Sequence, residues 1–257
     1  MKMTGRTVLV TGGSSGIGLE LARQLLERGN TVIVTGRDPH KLDAARQQLP
    51  LLQTFQSDVR DPAGIQALFL AVTTQFPTLD TLVNNAGVMR NIRLAQPRAL
   101  DDLTEEVDIN LNGPMRMIQQ FLPYLLQRQS GLIVNVSSGL AFIPFPAAPV
   151  YSASKAALHA YTQCLRAQLK HSAVTVIEIA PPGTETPLFR GEFAAEMKNE
   201  KGMDPALLVR QCIRKIEAGQ LEICPGVSQV LKVARRVAPG LMLQQMIKLS
   251  RAGQQVQ

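Results

Sequence analysis

Thr7-Val8-Leu9-Val10-Thr11-Gly12-Gly13-Ser14-Ser15-Gly16-Ile17-Gly18 decides the fold. Its first residues are a short β-branched and apolar run of the kind that forms a buried strand. From Gly16 to Arg28 the apolar residues recur with helical spacing, and Gly29 closes the run. Glycines at 12, 16 and 18 allow a sharp turn and a close approach of backbone to a ligand. The helix that opens there offers unpaired N–H groups and the positive end of its dipole to a phosphate. A strand, a glycine-rich turn and a helix in that order read as a pyrophosphate cradle, here with the spacing GxxxGxG instead of the general GxGxxG.

Outward from this unit the alternation continues. Strands are expected at 31–35, 51–56, 79–83, 131–136 and 174–179, and helices at 38–48, 61–74, 100–127 and 151–170. Asp38–Pro39 and Asp61–Pro62 are the N-cap and first position of two of them. Regular β-α alternation with strands apolar on both faces predicts an α/β fold, a doubly wound parallel sheet with helices on both faces. No linker, repeat or low-complexity tract divides the chain. It reads as a single domain over 1–257, with a substrate lid at 188–225 and a C-terminal amphipathic extension at 226–257.

The end of the second strand discriminates between dinucleotides. A carboxylate there would bind the ribose 2′-hydroxyl of NAD, whereas this chain has Thr35-Gly36-Arg37, with Lys41 one turn into the next helix. A guanidinium can pair bidentately with a 2′-phosphate, so the pattern favours NADP(H). Asp38 is assigned to the helix cap.

Tyr151 and Lys155 stand at i and i+4 on one helix face. A phenol titrates near ~10 in water, and a cation one turn away is expected to lower that value and make it a usable acid and base. Taken alone this pair is a common coincidence. Two strand ends share its neighbourhood: Asn135-Val136-Ser137-Ser138 and Asn84-Asn85-Ala86-Gly87, at the edge where open parallel sheets bind ligands. Asn110 lies inside a long helix, as a core amide or as part of the site.

Together TGxxxGIG at 11–18, NNAG at 84–87, Asn110, Ser138, Tyr151-xxx-Lys155 and Pro181-Pro182-Gly183-Thr184-x-Thr186 resemble the short-chain dehydrogenase/reductase superfamily, in its compact single-domain branch with a Rossmann-type fold. The run of VYSASKAAL and the TGR after the second strand are similar to its DltE-type subgroup. The resemblance implies Tyr151 as acid/base, Ser138 as hydrogen-bond partner of the substrate oxygen, and Lys155 on the nicotinamide ribose. It implies Asn110 as the holder of a relay water. It places the cofactor on Gly12, Ser14, Ser15, Gly16, Ile17, Gly18, Arg37 and Lys41. Further contacts are Asp58 and Val59 at the adenine, Asn85, Ala86 and Gly87, and Pro181, Gly183, Thr184 and Thr186 at the nicotinamide. The doubled proline at 181–182 departs from the usual single one without disturbing the turn. The implied activity is hydride transfer between NADP(H) and a carbonyl or alcohol carbon of a small molecule, in a homodimer or homotetramer paired through helices 100–127 and 151–170. A metal is not expected.

Composition is consistent with this. Hydrophobic residues make up 45% of the chain, enough for a sizeable core, and tryptophan is absent, which speaks against stacking platforms for nucleic acid. Cys164, Cys212 and Cys224 form no paired motif and suit a reducing cytoplasm. The net charge is +7, and from Asp204 onward eight Lys/Arg face three acids. No nucleic-acid motif accompanies that charge, and helix faces in solvent are its simplest source. The basic stretch 228–251 is expected to dock on the core, or else on another subunit, with membrane contact in last place. Phe142, Ile143 and Phe145 stand as an apolar substrate wall or as core, and Arg90, Arg93 and Arg98 as a rim. The rivals are a cofactor-sensing regulator without chemistry, which should have lost Tyr, Lys or Ser, and an epimerase or dehydratase, which would need a larger C-terminal domain.

Overall fold

In the computed structural model, which describes residues 1–252, seven strands form one parallel sheet in the order β3-β2-β1-β4-β5-β6-β7. They are β1 (Thr7–Thr11), β2 (Thr31–Gly36), β3 (Gln53–Gln56), β4 (Leu79–Asn84), β5 (Gly131–Val136), β6 (Val174–Ile179) and β7 (Glu222–Ile223). The helices are α1 (Gly16–Glu27), α2 (Pro39–Gln48), α3 (Pro62–Gln75), α4 (Leu100–Val107), α5 (Gly113–Leu125), α6 (Pro149–Gln168), α7 (Pro187–Arg190), α8 (Pro205–Glu217), α9 (Val227–Val237) and α10 (Pro239–Ala252). Residues 253–257 of the expected extension lie outside the described residues.

Alternation along each strand feeds two cores. Val8 and Val10 of β1 join Val32 and Val34 in a layer with Leu21 and Leu25 of α1 and Leu208, Cys212 and Ile213 of α8. Leu9 points the other way, into a layer with Leu68 of α3, Phe121 of α5 and Leu165 of α6. Burying both faces is what makes the strand runs uniformly apolar. The strand order reverses at β1, which pairs with β2 on one side and β4 on the other. Such a reversal opens a crevice at the carboxyl ends of the strands. No helix among the described residues is long and apolar enough to cross a membrane.

Two expectations change, and one strand is added. The helix expected at 100–127 is interrupted by a widened π-turn, Asp108–Asn112, which carries Asn110. Pro114, just beyond, has no N–H for the Asn110 carbonyl, so regular α-helical bonding cannot continue there. The expected lid at 188–225 is mostly core: Leu208, Val209, Cys212, Ile213 and Ile216 of α8 are buried, and β7 extends the sheet beside Glu178 and Ile179. Only 187–203 remains over the cavity. β7 has two residues, too few for a periodicity to reveal.

Candidate active site

The cavity, about 920 Å³, runs along the ends of β1, β2, β4, β5 and β6. Its cradle end is built from backbone. Gly12 sits at φ +64° and its Cα hydrogen faces Ala86, where an added Cβ would come within 2.7 Å of the Ala86 Cα. Gly16 follows at φ +55°. Thr11 Oγ1 accepts hydrogen bonds from Asn85 N and Ala86 N at 3.0 and 3.1 Å. Asn85 Nδ2 returns two, to the Thr11 and Gly12 carbonyls, both at 3.0 Å. The two loops are thereby locked to each other. Ser15, at the N-cap of α1, makes no side-chain cap, which leaves the first-turn amides facing the cavity.

Of the residues singled out for cofactor, Gly12, Ser14, Ser15, Gly16, Ile17, Arg37, Lys41, Asp58, Val59, Asn85, Ala86, Gly87, Tyr151, Lys155, Pro181, Gly183, Thr184 and Thr186 line this one cavity. Gly18 does not. It lies beneath the loop, where a Cβ would meet Asn85 Nδ2 and the Gly12 carbonyl at 2.5 Å, so its smallness serves packing. The Arg37 guanidinium is half out in solvent at the rim, with Glu105 at 3.9 Å as an ion-pair partner. Arg60 clamps Asp58 at 2.7 Å and holds its carboxyl below the usual range. Ser57 Oγ, also on the wall, is buried without a hydrogen-bond partner.

The reacting end is built from side chains. Tyr151 is buried in the first turns of α6, on the same cavity wall as Ser138 at the end of β5. Ser138 Oγ accepts from Leu140 N at 3.1 Å. Lys155 Nζ lies 5.7 Å from the Tyr151 ring centre and donates to the Val136 carbonyl at 2.9 Å. Asn110 is behind this pair and off the cavity wall. Its Nδ2 donates to Val88 O at 2.9 Å and Ser154 Oγ at 3.2 Å, while its Oδ1 accepts from Val88 N at 2.9 Å. All the amide's groups are engaged, so a water at this residue has the backbone carbonyl to bind.

The expected acidification of Tyr151 is reversed in the protein by itself. Burial pushes the phenol up to about 12, against the pull of the Ser138 hydrogen bond, and Glu106 pushes the same way. Burial also brings Lys155 down to about 8, partly opposed by the negative charge of Glu178. Desolvation disfavours both charged forms and is the largest influence on each.

Several residues went unnoticed in the sequence. Glu178, fully buried on β6, accepts from Ser137 Oγ at 2.5 Å and pairs with His159 Nδ1 at 2.7 Å. His159 is one turn beyond Lys155, and a lone carboxylate within an apolar strand was the available signal. Glu106, also buried, accepts from Arg90 N at 2.9 Å and is pushed up to about 7 by burial. Met242 and Leu249 of α10 also line the cavity, beside Met246 of the stretch expected to dock on the core. Of the expected apolar wall only Phe145 is on the cavity; Phe142 packs against the His159 ring at 5.1 Å and Ile143 is core. Arg90 and Arg98 are held by Asp102, and Arg90, Arg93 and Arg98 all stand off the cavity wall.

A dinucleotide-shaped crevice at a switch point, ending in a buried Tyr, Ser and Lys, defines a class of nicotinamide-type oxidoreductases. The model of the short chain dehydrogenase family matches residues 6–197, and the chain belongs to that family. It is 39% identical over 249 residues, 96% of this chain and 98% of the relative, to the uncharacterized oxidoreductase DltE of Bacillus subtilis. It is 35% identical over 175 residues, 68% of this chain and 71% of the relative, to the NADP-dependent 3-hydroxy acid dehydrogenase YdfG of Salmonella typhi. Among solved structures it is similar to a short chain dehydrogenase from Burkholderia cenocepacia in complex with NADP, with TM-score 0.81, 24% identity and coverage of 96% and 99% of the two chains. A variant of actinorhodin polyketide ketoreductase with NADPH gives 0.79 at 28% identity, covering 89% and 99%.

Proposed function

We propose that this oxidoreductase uses NADP(H) to interconvert a carbonyl and an alcohol on a small, largely apolar substrate, with Tyr151 as the acid and base. The observation that carries this reading is the buried Tyr151, with Ser138 and Lys155 beside it, on the floor of the same cavity that ends at α1. The residues present fit the dinucleotide. A Cβ at Gly12 would obstruct the cradle, the α1 amides face it, and the orphaned Ser57 hydroxyl lacks a partner that a nucleoside could supply. Arg37 and Lys41 line the cavity after β2, where the one neighbouring carboxylate, Asp38, is engaged as the α2 cap, which supports NADP(H) over NAD(H). The Salmonella dehydrogenase is NADP-dependent, and the Burkholderia and actinorhodin structures hold NADP and NADPH.

When bound, the nicotinamide supplies or takes up the hydride at carbon. In reduction Tyr151 donates its proton to the substrate oxygen, so the carbonyl leaves as a neutral alcohol. Ser138 donates a hydrogen bond to that oxygen while negative charge builds there. Burial keeps Tyr151 protonated at neutral pH, which suits the acid. For the reverse reaction positive charge near the phenol must offset the burial, and the Lys155 ammonium is the protein's own source. The Asn110 carbonyl, with no i+4 amide because residue 114 is proline, would hold a water for proton supply to Lys155. Residues 187–203, latched by Asn91 to Glu192 and Glu196 at 2.7 and 2.8 Å, act as the substrate lid. Helices α4, α5 and α6 are the proposed pairing surface of a homodimer or homotetramer, in the cytoplasm.

NADPH absorbance followed against a panel of aldehydes, ketones, quinones and acyl-thioester ketones tests the reading. Oxidation with at least one class is expected. Tight NADPH binding with no turnover on any of them would instead identify a sensor.

A further inference from the structure

We propose that the hairpin of α9 and α10 is a docking surface for an anionic lipid membrane. Residues 227–252 contain five Lys or Arg and no Asp or Glu. On α9 the valines Val230, Val233 and Val237 follow i, i+3, i+7 spacing and form one stripe. Arg235 and Arg236 form another, beside Lys232, whose ammonium is paired with Glu222 at 2.6 Å. In a helix docked on its own domain the apolar stripe faces inward. Here it faces solvent: Val230 is 59%, Val233 52% and Val237 79% exposed, and Leu241 of α10 continues it at 59%.

The protein's own core does not cover this stripe, because the hairpin is seated by another face. Ser228 is buried, and Met246 and Leu249 pack against the cluster of Phe145, Tyr151 and Phe193. Arg235 and Arg236 have no ion-pair partner among the described residues, and a second copy packed on the hairpin would bring the same charges together, which opposes pairing. A surface of negatively charged headgroups matches both features at once: it attracts the guanidinium and ammonium groups and accepts aliphatic side chains below them. Val227 and Val230 also line the cavity, so the exposed stripe is continuous with the mouth of the site. Docking on the core, ranked first from sequence, accounts for Met246 and Leu249, and the exposed stripe is the part it leaves for a membrane.

Sedimentation of the full-length protein with vesicles tests the proposal without turnover or NADPH, so its failure is separable from failure of the catalytic reading. Vesicles of phosphatidylcholine mixed with phosphatidylglycerol are expected to bind at least about tenfold more protein than phosphatidylcholine alone. Raising the salt from about 0.1 M to about 1 M shrinks the screening length from ~10 to ~3 Å and should release most of it. The triple change Val233→Ser, Val237→Ser, Leu241→Ser, and separately Arg235→Gln with Arg236→Gln, should each reduce binding about tenfold with thermal melting and NADPH affinity unchanged. Binding to neither vesicle, equal binding to both, or variants that bind like the parent would overturn it. So would a dimer in analytical ultracentrifugation that the serine variant splits into monomers, which would give the face to a second copy.

Discussion

The two ends of the cavity share one sheet edge yet are made of different material. At the cradle end the wall is backbone: a left-handed Gly12, open α1 amides, and loops tied by Asn85 and Thr11 across β1 and β4. At the far end it is side chains, Leu188, Phe189 and Met197 of the segment after β6 and Met242, Met246 and Leu249 of α10. The family match covers residues 6–197 and so includes the cradle and the reacting groups but stops short of α8, α9 and α10. A ligand part that never varies can be held by main chain, which tolerates little substitution. A reactant that differs between relatives is met by side chains on elements that can be exchanged without disturbing the sheet.

The contrast can be broken by substitution. Gly12→Val places a branched side chain where even a Cβ would be 2.7 Å from Ala86 Cα. We expect NADPH affinity by calorimetry to fall by at least about 100-fold, since the strained conformation and the lost approach both count against it. The same affinity after Met246→Ala at the other end should be unchanged. If the two variants behaved alike, the division between ends would be false.

Arg37→Ala sharpens the cradle side. A charge-assisted pair contributes about 1.5–3 kcal/mol, so NADPH should bind roughly 10- to 100-fold more weakly while NADH is unaffected. Equal losses for both dinucleotides would remove Arg37 from the 2′-phosphate.

At the reacting end the titrations carry the test. Burial brings Lys155 down to about 8, so kcat/KM for carbonyl reduction should decline as pH rises through that value and the ammonium is lost. Glu178 holds the lysine's value up, and Glu178→Gln should move the decline to lower pH. A midpoint that did not move would free Glu178 from any influence on the site.

Glu106 gives the smallest effect, in stability. Burial raises it from 4.5 to about 7, so between those values the folded state holds more protons than the unfolded chain. Stability therefore falls as pH rises through that window, and the loss is complete above it. Glu106→Gln should add about 2 kcal/mol by urea denaturation near pH 8 and nothing near pH 4. An equal gain at both would show that charge burial is not the cause.

How far the sequence disclosed this arrangement follows the same division. Patterns fixed by backbone chemistry were readable: Gly12 and Gly16 at positive φ, Asp38 and Asp61 as caps, and five strands whose two-sided burial makes them largely apolar runs, with the half-exposed β3 at the edge. The cavity residues came with the motifs because motif spacing is dictated by strand ends. What stayed hidden depended on contacts distant along the chain. The π-turn at Asn110 needs both Pro114 and the Val88 backbone to be in place. The direction of the Tyr151 titration depends on burial, which a spacing of four residues does not encode. α8 fell within the bounds of the expected lid because nothing local in its sequence says that α1 and the sheet would cover it. The inverted amphipathicity of α9 was invisible for the same reason.

The most direct test is a single-turnover comparison of the parent protein and Tyr151→Phe, with NADPH and the best carbonyl of the panel, beside NADPH affinity for both. Loss of the proton donor should slow hydride transfer by about 10³-fold or more, with NADPH affinity within about 3-fold because the ring still fills its place. Transfer at the parent rate in the Phe variant would contradict the account, since the proton would then have come from elsewhere.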